Sequence, residues 1–221
     1  AGDYLRKALA KVDYYQQPKP RWESLHDVEG FYELYRVTGD EKYKTALAFD
    51  WQSIRRTDMH NNGSFSVGEG ACGNPFRLGA IETCCTVAWI AVSVDTLKLT
   101  ADPAVADTLD LALWNAVLAY QHPSGRWCTY DTPMCGKREA GLRSINFQAR
   151  AGSPELSCCS ANAPRGLGMA SEWAALIQPG KIYWNLYGPG QITLTDAAGT
   201  TWSVTQTTQY PADGAVRMDL T

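Results

Sequence analysis

Two short segments of the sequence contain the residues best suited to metal or nucleophilic chemistry. The first carries Glu82, Cys84 and Cys85, and the second, much later in the chain, carries Cys158 and Cys159. A cysteine thiolate binds soft metals such as zinc and is also a strong nucleophile. Adjacent cysteines close a strained ring when they pair, which favours free thiols or metal ligands over disulfides. We therefore expect the two segments to meet in space as a metal–thiolate site.

The four candidate ligands are Glu82, Cys84, Cys158 and Cys159. Zinc in proteins takes about four ligands at roughly 2.0–2.3 Å, drawn from cysteine, histidine and carboxylate groups. The spacing differs from that of common zinc knuckles, so the pattern alone leaves a second interpretation open. In that interpretation the cysteines are small buried apolar side chains of a core.

A glycine-rich stretch ahead of the first segment contains Glu69. A carboxylate there could act as a general acid/base if partial burial raised its pKa towards neutrality, whereas an ordinary solvated glutamate is the alternative. His26 lies in the first turn of a predicted helix, and His60 lies in a long loop over 57–75. Either histidine could bind a sugar hydroxyl or be satisfied by local hydrogen bonds.

The composition narrows the classes of partner. The 221 residues include eight Trp and eleven Tyr, and the net charge is −3 without a basic run, which argues against nucleic acid. Aromatic-rich clefts bind sugars through ring faces, although aromatic side chains are also good core residues. No apolar stretch approaches the roughly 20 residues that span a membrane. Seven cysteines cannot all pair within one chain, and free thiols favour a reducing compartment without deciding the location.

Hydrophobic periodicity predicts helices first and strands afterwards. The predicted helices cover approximately 1–14, 22–37, 41–56, 80–99, 103–120 and 158–178, with short extended pieces at 125–130 and 145–149, and the predicted strands cover 181–187, 191–195, 201–210 and 215–220. Thr38-Gly39-Asp40 and Thr100-Ala101-Asp102 each separate two helices, and such repeated helical hairpins indicate a solenoid or a closed α/α toroid. The final strands are too few for an independent sheet, which indicates a truncated C-terminus.

A set of motifs in a fixed order carries a resemblance to a known family. They are Leu34-Tyr35-Arg36-Val37-Thr38-Gly39-Asp40, Gly68-Glu69, Glu82-Thr83-Cys84, and Cys158-Cys159 with Asn162. Over roughly residues 22–178, the chain resembles glycoside hydrolase family 127, the β-L-arabinofuranosidase family. It departs from the family pattern after Glu69, where Gly-Ala replaces Ala-Phe.

The resemblance implies a mainly α fold with a β C-terminus. Residues 1–178 would form part of an (α/α)6 toroid, and residues 179–221 would begin an antiparallel β-sandwich. The six predicted helices would be half of the twelve in such a toroid.

The resemblance also implies a retaining glycosidase that acts on a carbohydrate substrate and uses Zn²⁺. Glu82, Cys84, Cys158 and Cys159 would bind the zinc ion. Cys158 would also be the nucleophile, Glu69 would be the acid/base, and His60 and His26 would be candidates for sugar binding. The alternative is a non-catalytic carbohydrate-binding helical module with a structural zinc–cysteine site. The sequence does not address the oligomeric state.

Overall fold

The structure, a computed structural model, describes residues 2–133 and 157–221. Helices make up most of the first stretch and the start of the second. In chain order they are α1 (Gly2–Leu9), α2 (Trp22–Thr38), α3 (Glu41–Thr57), α4 (Thr83–Thr100), α5 (Pro103–Ala112), α6 (Leu118–Tyr120), α7 (Cys158–Gly168) and α8 (Ala170–Trp173). A 3-10 turn over Tyr14–Gln16 precedes α2, and a π-helical turn over Leu113–Val117 joins α5 to α6.

Short antiparallel strands complete the described part of the chain. They are β1 (Ala80–Glu82), β2 (Asp131–Pro133), β3 (Ala175–Gln178), β4 (Lys181–Trp184), β5 (Gly190–Thr195), β6 (Thr201–Thr208) and β7 (Val216–Leu220). The first two strands pair with each other, as do the next two, and the last three form a sheet in the order β5-β6-β7. The predicted alternating strands after residue 180 are thus confirmed.

The two turns that interrupt the helical region share one capping arrangement. Gly39 ends α2 with φ at +68°, a conformation that glycine adopts without steric penalty. The Asp40 carboxylate then accepts a hydrogen bond from the main-chain N–H of Lys42 at 3.1 Å. Asp102 accepts the corresponding bond from Ala104 at 2.9 Å. Both predicted helical hairpins are therefore confirmed.

Helix α4 is the centre of the helical core. It packs against α2, α3, α5 and α7, which agrees with its apolar sequence on every face. The Trp89 ring stacks on Trp51 at a centroid distance of 5.8 Å, and the Trp51 indole N–H donates to the Ser93 hydroxyl at 2.9 Å. These tryptophans are core residues and do not line a sugar cleft.

The start of α4 differs from the prediction. The helix begins at Thr83, and the three residues before it form β1, which pairs with β2 in the register Glu82↔Asp131. The main-chain N–H of Thr83 donates to the carbonyl of Tyr130 at 2.9 Å, and that of Glu82 donates to Gly68 at 3.0 Å. Because carbonyl groups of other segments accept from these two N–H groups, the residues directly before α4 form a strand rather than a turn of helix.

The prediction of one helix from the second cysteine pair to residue 178 is wrong. The chain is helical only to Trp173, and β3 turns through Pro179 and Gly180 into β4. Gly180 has φ at +74°, as a tight turn requires. Pairing of Leu176 with Tyr183 and of neighbouring residues supplies the hydrogen bonds that a continued helix would have made.

Two other predicted elements are the first helix and the extended piece at 145–149. The first helix was predicted over 1–14 but ends at Leu9, because Lys11 adopts a left-handed φ of +60° that a right-handed helix cannot contain. The predicted extended piece at 145–149 lies outside the described residues.

Among the described helices, none combines the length and apolar character needed to cross a bilayer.

Candidate metal–thiolate active site

The beginnings of two packed helices bring the cysteine segments together. Cys84 lies in the first turn of α4 and Cys158 and Cys159 in the first turn of α7, and the two helices pack against each other. Ser157 caps α7 by accepting from the main-chain N–H of Ser160 at 3.2 Å. Helix N-termini favour negative charge, so this placement suits thiolates.

Four side chains form a compact ligand set. The ligand atoms of Glu82, Cys84, Cys158 and Cys159 all lie within 4.8 Å of one another. The Cys159 sulfur is 3.4 Å from the Cys84 sulfur and 3.6 Å from Oε1 of Glu82. Two sulfurs on one tetrahedral zinc ion, each at about 2.3 Å, would be about 3.8 Å apart. The set therefore has the dimensions and donor types of a zinc site, and it could hold a metal ion.

The buried carboxylate and thiols of this set also favour the binding of a cation. Glu82 is fully buried, and no positively charged side chain among residues 2–133 and 157–221 forms an ion pair with it. Burial raises the pKa of Glu82 to about 8. A buried carboxylate without a counter-charge is costly, and a divalent ion between the carboxylate and the thiols would remove that cost.

The three thiols differ in their protonation. A hydrogen bond from Cys159 lowers the pKa of Cys84 to about 6, and the same bond raises the pKa of Cys159. Burial, followed by the charge of Cys84, raises the pKa of Cys158. In the protein alone, Cys84 is therefore the most acidic of the three thiols.

Cys158 is the exposed member of the set. Its neighbourhood opens into a cavity of about 930 Å³, whose walls include Trp127, Arg126 and Leu167. The Trp127 ring stacks on His122 at a centroid distance of 4.3 Å. The geometry thus leaves one thiol of the set accessible to a molecule from solution.

The loop that carries Glu69 is fastened to β1. The Gly68 N–H donates to the carbonyl of Ala80 at 2.7 Å, and the Gly68 carbonyl accepts from Glu82 at 3.0 Å. The same loop also contacts Pro20, whose carbonyl accepts a hydrogen bond from the N–H of Ala71 at 2.7 Å. Glu69 and the ligand Glu82 are therefore held on adjacent backbone segments.

Both carboxylate oxygens of Glu69 have partners that the sequence did not reveal. The Tyr130 hydroxyl donates to Oε1 at 2.9 Å, and Nη2 of Arg21 lies 2.7 Å from Oε2. Burial and then the nearby Glu82 raise the pKa of Tyr130, which keeps its hydroxyl protonated as a donor. Nothing in the pattern around Tyr130 or Arg21 identified them beforehand, because each contact joins distant parts of the chain.

Trp22 and His26 lie beside the thiol set. Trp22 packs against the cluster that contains Cys84, Tyr130 and Cys159, and its ring meets the His26 ring edge-on at 5.7 Å. A hydrogen bond with Glu29 raises the pKa of His26. His26 thus lies one helical turn from a tryptophan that borders the site, and its contact with sugar remains a prediction.

His60 occupies a different environment. Its ring is buried, with Nδ1 2.8 Å from the carbonyl of Pro75 and Nε2 2.8 Å from the carbonyl of Ser66. Both ring nitrogens therefore face main-chain acceptors and hold the long loop together. Direct binding of sugar by His60 remains a prediction.

Cys85 is the remaining thiol at the site. It is fully buried, and its sulfur lies 3.0 Å from Oε2 of Glu82, on the oxygen that does not face Cys159. Burial raises the pKa of the Cys85 thiol well above its ordinary value. Cys72, by contrast, is half-buried, and its sulfur lies 3.7 Å from the carbonyl of Asn74.

A known protein family matches most of this chain. Residues 6–171 match the family model described as beta-L-arabinofuranosidase, GH127 catalytic domain. A search of the curated proteins found no match.

Solved structures share the fold. One is a GH127 beta-L-arabinofuranosidase from Geobacillus stearothermophilus T6, with a TM-score of 0.74 and 21% identity over 95% of this chain and 36% of that one. Another is described as a glycoside hydrolase, with a TM-score of 0.75 and 22% identity over 95% of this chain and 38% of that one. A third is the GH127 beta-arabinofuranosidase BT3674, with a TM-score of 0.74 and 19% identity over 98% of this chain and 36% of that one.

The chain thus spans between 36% and 38% of the length of these structures. Their fold confirms the prediction of part of an (α/α)6 toroid followed by antiparallel strands. Because the family model covers most of its residues, this chain belongs to the GH127 beta-L-arabinofuranosidase catalytic-domain family.

Proposed function

We propose that this chain carries the catalytic residues of a retaining glycoside hydrolase that releases β-linked L-arabinofuranose or a related sugar. The observation that carries the proposal is the exposed Cys158 within a buried glutamate–cysteine set. The sugar class follows from the family, which is described as beta-L-arabinofuranosidase. We further propose residues 1–178 as the toroid portion and residues 179–221 as the start of a sandwich domain.

Cys158 is the proposed nucleophile. Its thiolate attacks the anomeric carbon, so that a carbon–sulfur bond forms while the bond to the leaving oxygen breaks. Glu69 donates its proton to that oxygen. Glu69 then accepts a proton from water, the water oxygen attacks the anomeric carbon, and the carbon–sulfur bond breaks to regenerate the thiolate. Two inversions at one carbon give net retention.

Glu82, Cys84, Cys158 and Cys159 would hold the zinc ion. A bound zinc ion would keep its thiol ligands deprotonated near neutral pH. This is relevant because burial raises the pKa of Cys158 in the protein alone.

Arg21 and Tyr130 hold the Glu69 carboxylate in place in this scheme. His26, beside Trp22, is the better placed of the two histidines to meet the sugar. His60, whose ring also holds the loop through main-chain carbonyls, is the second proposed contact to the sugar.

A second candidate function rests on the completeness of the ligand set. Structural zinc sites have four protein ligands, whereas catalytic sites usually have three and an open position. Four ligands from this chain would thus also suit a structural site in a helical module that binds carbohydrate without cleaving it.

The variant Glu69→Gln separates the two candidates. The variant is assayed in the full protein on an aryl β-L-arabinofuranoside. If the protein is a hydrolase, Glu69→Gln should remove most turnover while zinc content and thermal stability are kept. Rapid quenching of the parent protein and mass spectrometry of its peptides should place a sugar adduct on Cys158. A parent protein that binds zinc and sugar without turnover would instead support the non-catalytic module.

A further inference from the structure

We infer that the buried Cys85 thiol is a positioning residue for Glu82. By holding one carboxylate oxygen, it determines which oxygen of Glu82 is available to a metal. This inference rests on the proposed metal site but concerns a residue outside its four ligands. Cys85 follows the ligand Cys84 directly in α4.

The two oxygens of Glu82 have different neighbours. Oε1 lies 3.6 Å from the sulfur of Cys159, within the ligand set, whereas Oε2 lies 3.0 Å from the sulfur of Cys85. In this contact the Cys85 thiol is the donor and Oε2 of Glu82 is the acceptor. Oε2 is thereby engaged, and Oε1 is left as the oxygen available to a metal.

Cys85 cannot join the ligand set in this arrangement. Consecutive residues on a helix point about 100° apart, so Cys84 faces the other ligands while Cys85 approaches Glu82 from a different side. The sulfur of Cys85 lies outside the group of atoms within 4.8 Å of one another. Its position is that of an outer partner that orients a ligand, comparable to the carboxylates and carbonyls that orient metal-binding histidines.

The main chain around Glu82 is already fixed, which leaves the side chain as the part to be oriented. The Glu82 N–H donates to Gly68 at 3.0 Å, and the Thr83 hydroxyl donates to the carbonyl of Thr129 at 2.8 Å. Among the described residues, Cys85 is the hydrogen-bond donor found at Oε2. Its removal would leave Oε2 without a hydrogen-bond donor among the described residues, and the carboxylate would be held only through Oε1.

The test compares zinc affinity in three variants of the full protein, by competition with a chromophoric chelator. Cys85→Ala removes the donor, Cys85→Ser replaces it with a hydroxyl donor, and Cys72→Ala is the control because that thiol is outside the ligand set. Outer partners of metal ligands typically contribute roughly 10–100-fold in affinity. We expect Cys85→Ala to bind zinc about 10–100-fold more weakly, Cys85→Ser to stay within a few-fold of the parent, and Cys72→Ala to match it.

Cobalt substitution distinguishes a positioning residue from a ligand. The sulfur-to-cobalt charge-transfer absorbance scales with the number of cobalt–sulfur bonds, so parent and Cys85→Ala should have equal intensity at saturation. A lower intensity in Cys85→Ala would identify Cys85 as a ligand and overturn the inference. Unchanged zinc affinity in a folded Cys85→Ala protein would also overturn it.

Three further outcomes are informative. Should Cys85→Ala fail to fold, Cys85→Val replaces it, because valine lacks the donor and keeps apolar volume in the core. A parent protein that binds no zinc would refute the inference together with the metal site. A parent that binds zinc but hydrolyses no glycoside would refute only the proposed function, since the affinity comparison does not depend on turnover.

Discussion

The hydroxyl of Tyr130 donates a hydrogen bond to Oε1 of Glu69 at 2.9 Å, although 61 residues separate them in the chain. Arg21 contacts the other carboxylate oxygen at 2.7 Å. Tyr130 also packs against Cys84 and Cys159. One tyrosine therefore touches both the proposed acid/base and the thiol set, which places these two groups in a single site.

Tyr130→Phe should lower turnover and leave the fold unchanged. A hydrogen bond to a charged group contributes about 1.5–3 kcal/mol, so we expect kcat to fall by roughly 10–100-fold. The loss should be greater for substrates with poor leaving groups, which need the proton from Glu69. Tyr183→Phe, whose hydroxyl contacts Gln178 on the surface, is the matched control. Equal losses with good and poor leaving groups would argue against a role through Glu69.

Cys159→Ser should lose the bound metal. Cys159 is buried and contacts two other members of the set, so its replacement removes a central thiolate. Elemental analysis of purified protein should find one zinc per chain in the parent and none in the variant. Cys128→Ser is the control, because Cys128 lies outside the ligand set. Retention of a full equivalent of zinc by Cys159→Ser would contradict the ligand assignment.

Zinc should raise thermal stability in a concentration-dependent way. A ligand that binds only the folded state stabilises it by about 4 kcal/mol at 1,000 times its dissociation constant. Differential scanning fluorimetry of chelator-treated protein, before and after zinc is restored, checks this. The shift should be absent in Glu82→Ala, because this variant lacks the buried carboxylate of the set. A shift of the same size in Glu82→Ala would place the stabilising zinc ion elsewhere.

The reactivity of the cysteines should follow their exposure. Among the described cysteines, Cys158 is exposed, Cys72 and Cys128 are half-buried, and Cys84, Cys85 and Cys159 are buried. In metal-free reduced protein, iodoacetamide should modify the first three before the buried ones. Zinc should then protect Cys158 and leave Cys72 and Cys128 reactive. Peptide mass spectrometry of timed samples gives the rates, and modification of Cys158 at the same rate with zinc would exclude it as a ligand.

A separate prediction concerns Asp50, which is fully buried in α3. Gln17 donates to its Oδ1 at 2.7 Å, while Oδ2 has no hydrogen-bond partner among the described residues. Burial raises the pKa of Asp50 to about 7 from an ordinary value of 3.8. Because the folded state binds the proton more tightly, stability falls as pH rises from 3.8 to about 7 and is constant above that range.

Asp50→Asn should therefore stabilise the protein at alkaline pH and leave it nearly unchanged at pH below the ordinary carboxyl pKa. The gain at pH 8 should be a few kcal/mol at most, since one unit of pKa corresponds to about 1.4 kcal/mol. Urea unfolding at several pH values measures it, with the exposed Asp107→Asn as control. A pH-independent effect of Asp50→Asn would contradict the protonation argument.

Local sequence patterns determined much of the helical architecture. The apolar periodicity of α2 to α5 and the caps at Asp40 and Asp102 depend on residues within a few positions of each other. The same holds for the alternating strands near the C-terminus. The prediction for the segment before residue 179 was wrong because β3 is defined by pairing with β4, which periodicity over Ala175–Gln178 cannot reveal.

For the site, the residue types and the order of the motifs predicted Glu82, Cys84, Cys158 and Cys159 as a ligand set, and the structure brings their ligand atoms within 4.8 Å of one another. Residue type and spacing alone left open the interpretation of buried core cysteines, and the resemblance to a known family favoured the ligand set.

Only the tertiary structure decided what surrounds these residues. The partners of Glu69 and the position of Cys85 against Glu82 depend on how helices and loops pack. The same is true of the main-chain acceptors that engage His60. These contacts join segments up to 61 positions apart or depend on the direction of a single side chain on a helical turn. Such relationships leave no periodic signal in the sequence, because they arise from packing between elements rather than from the propensity of any one of them.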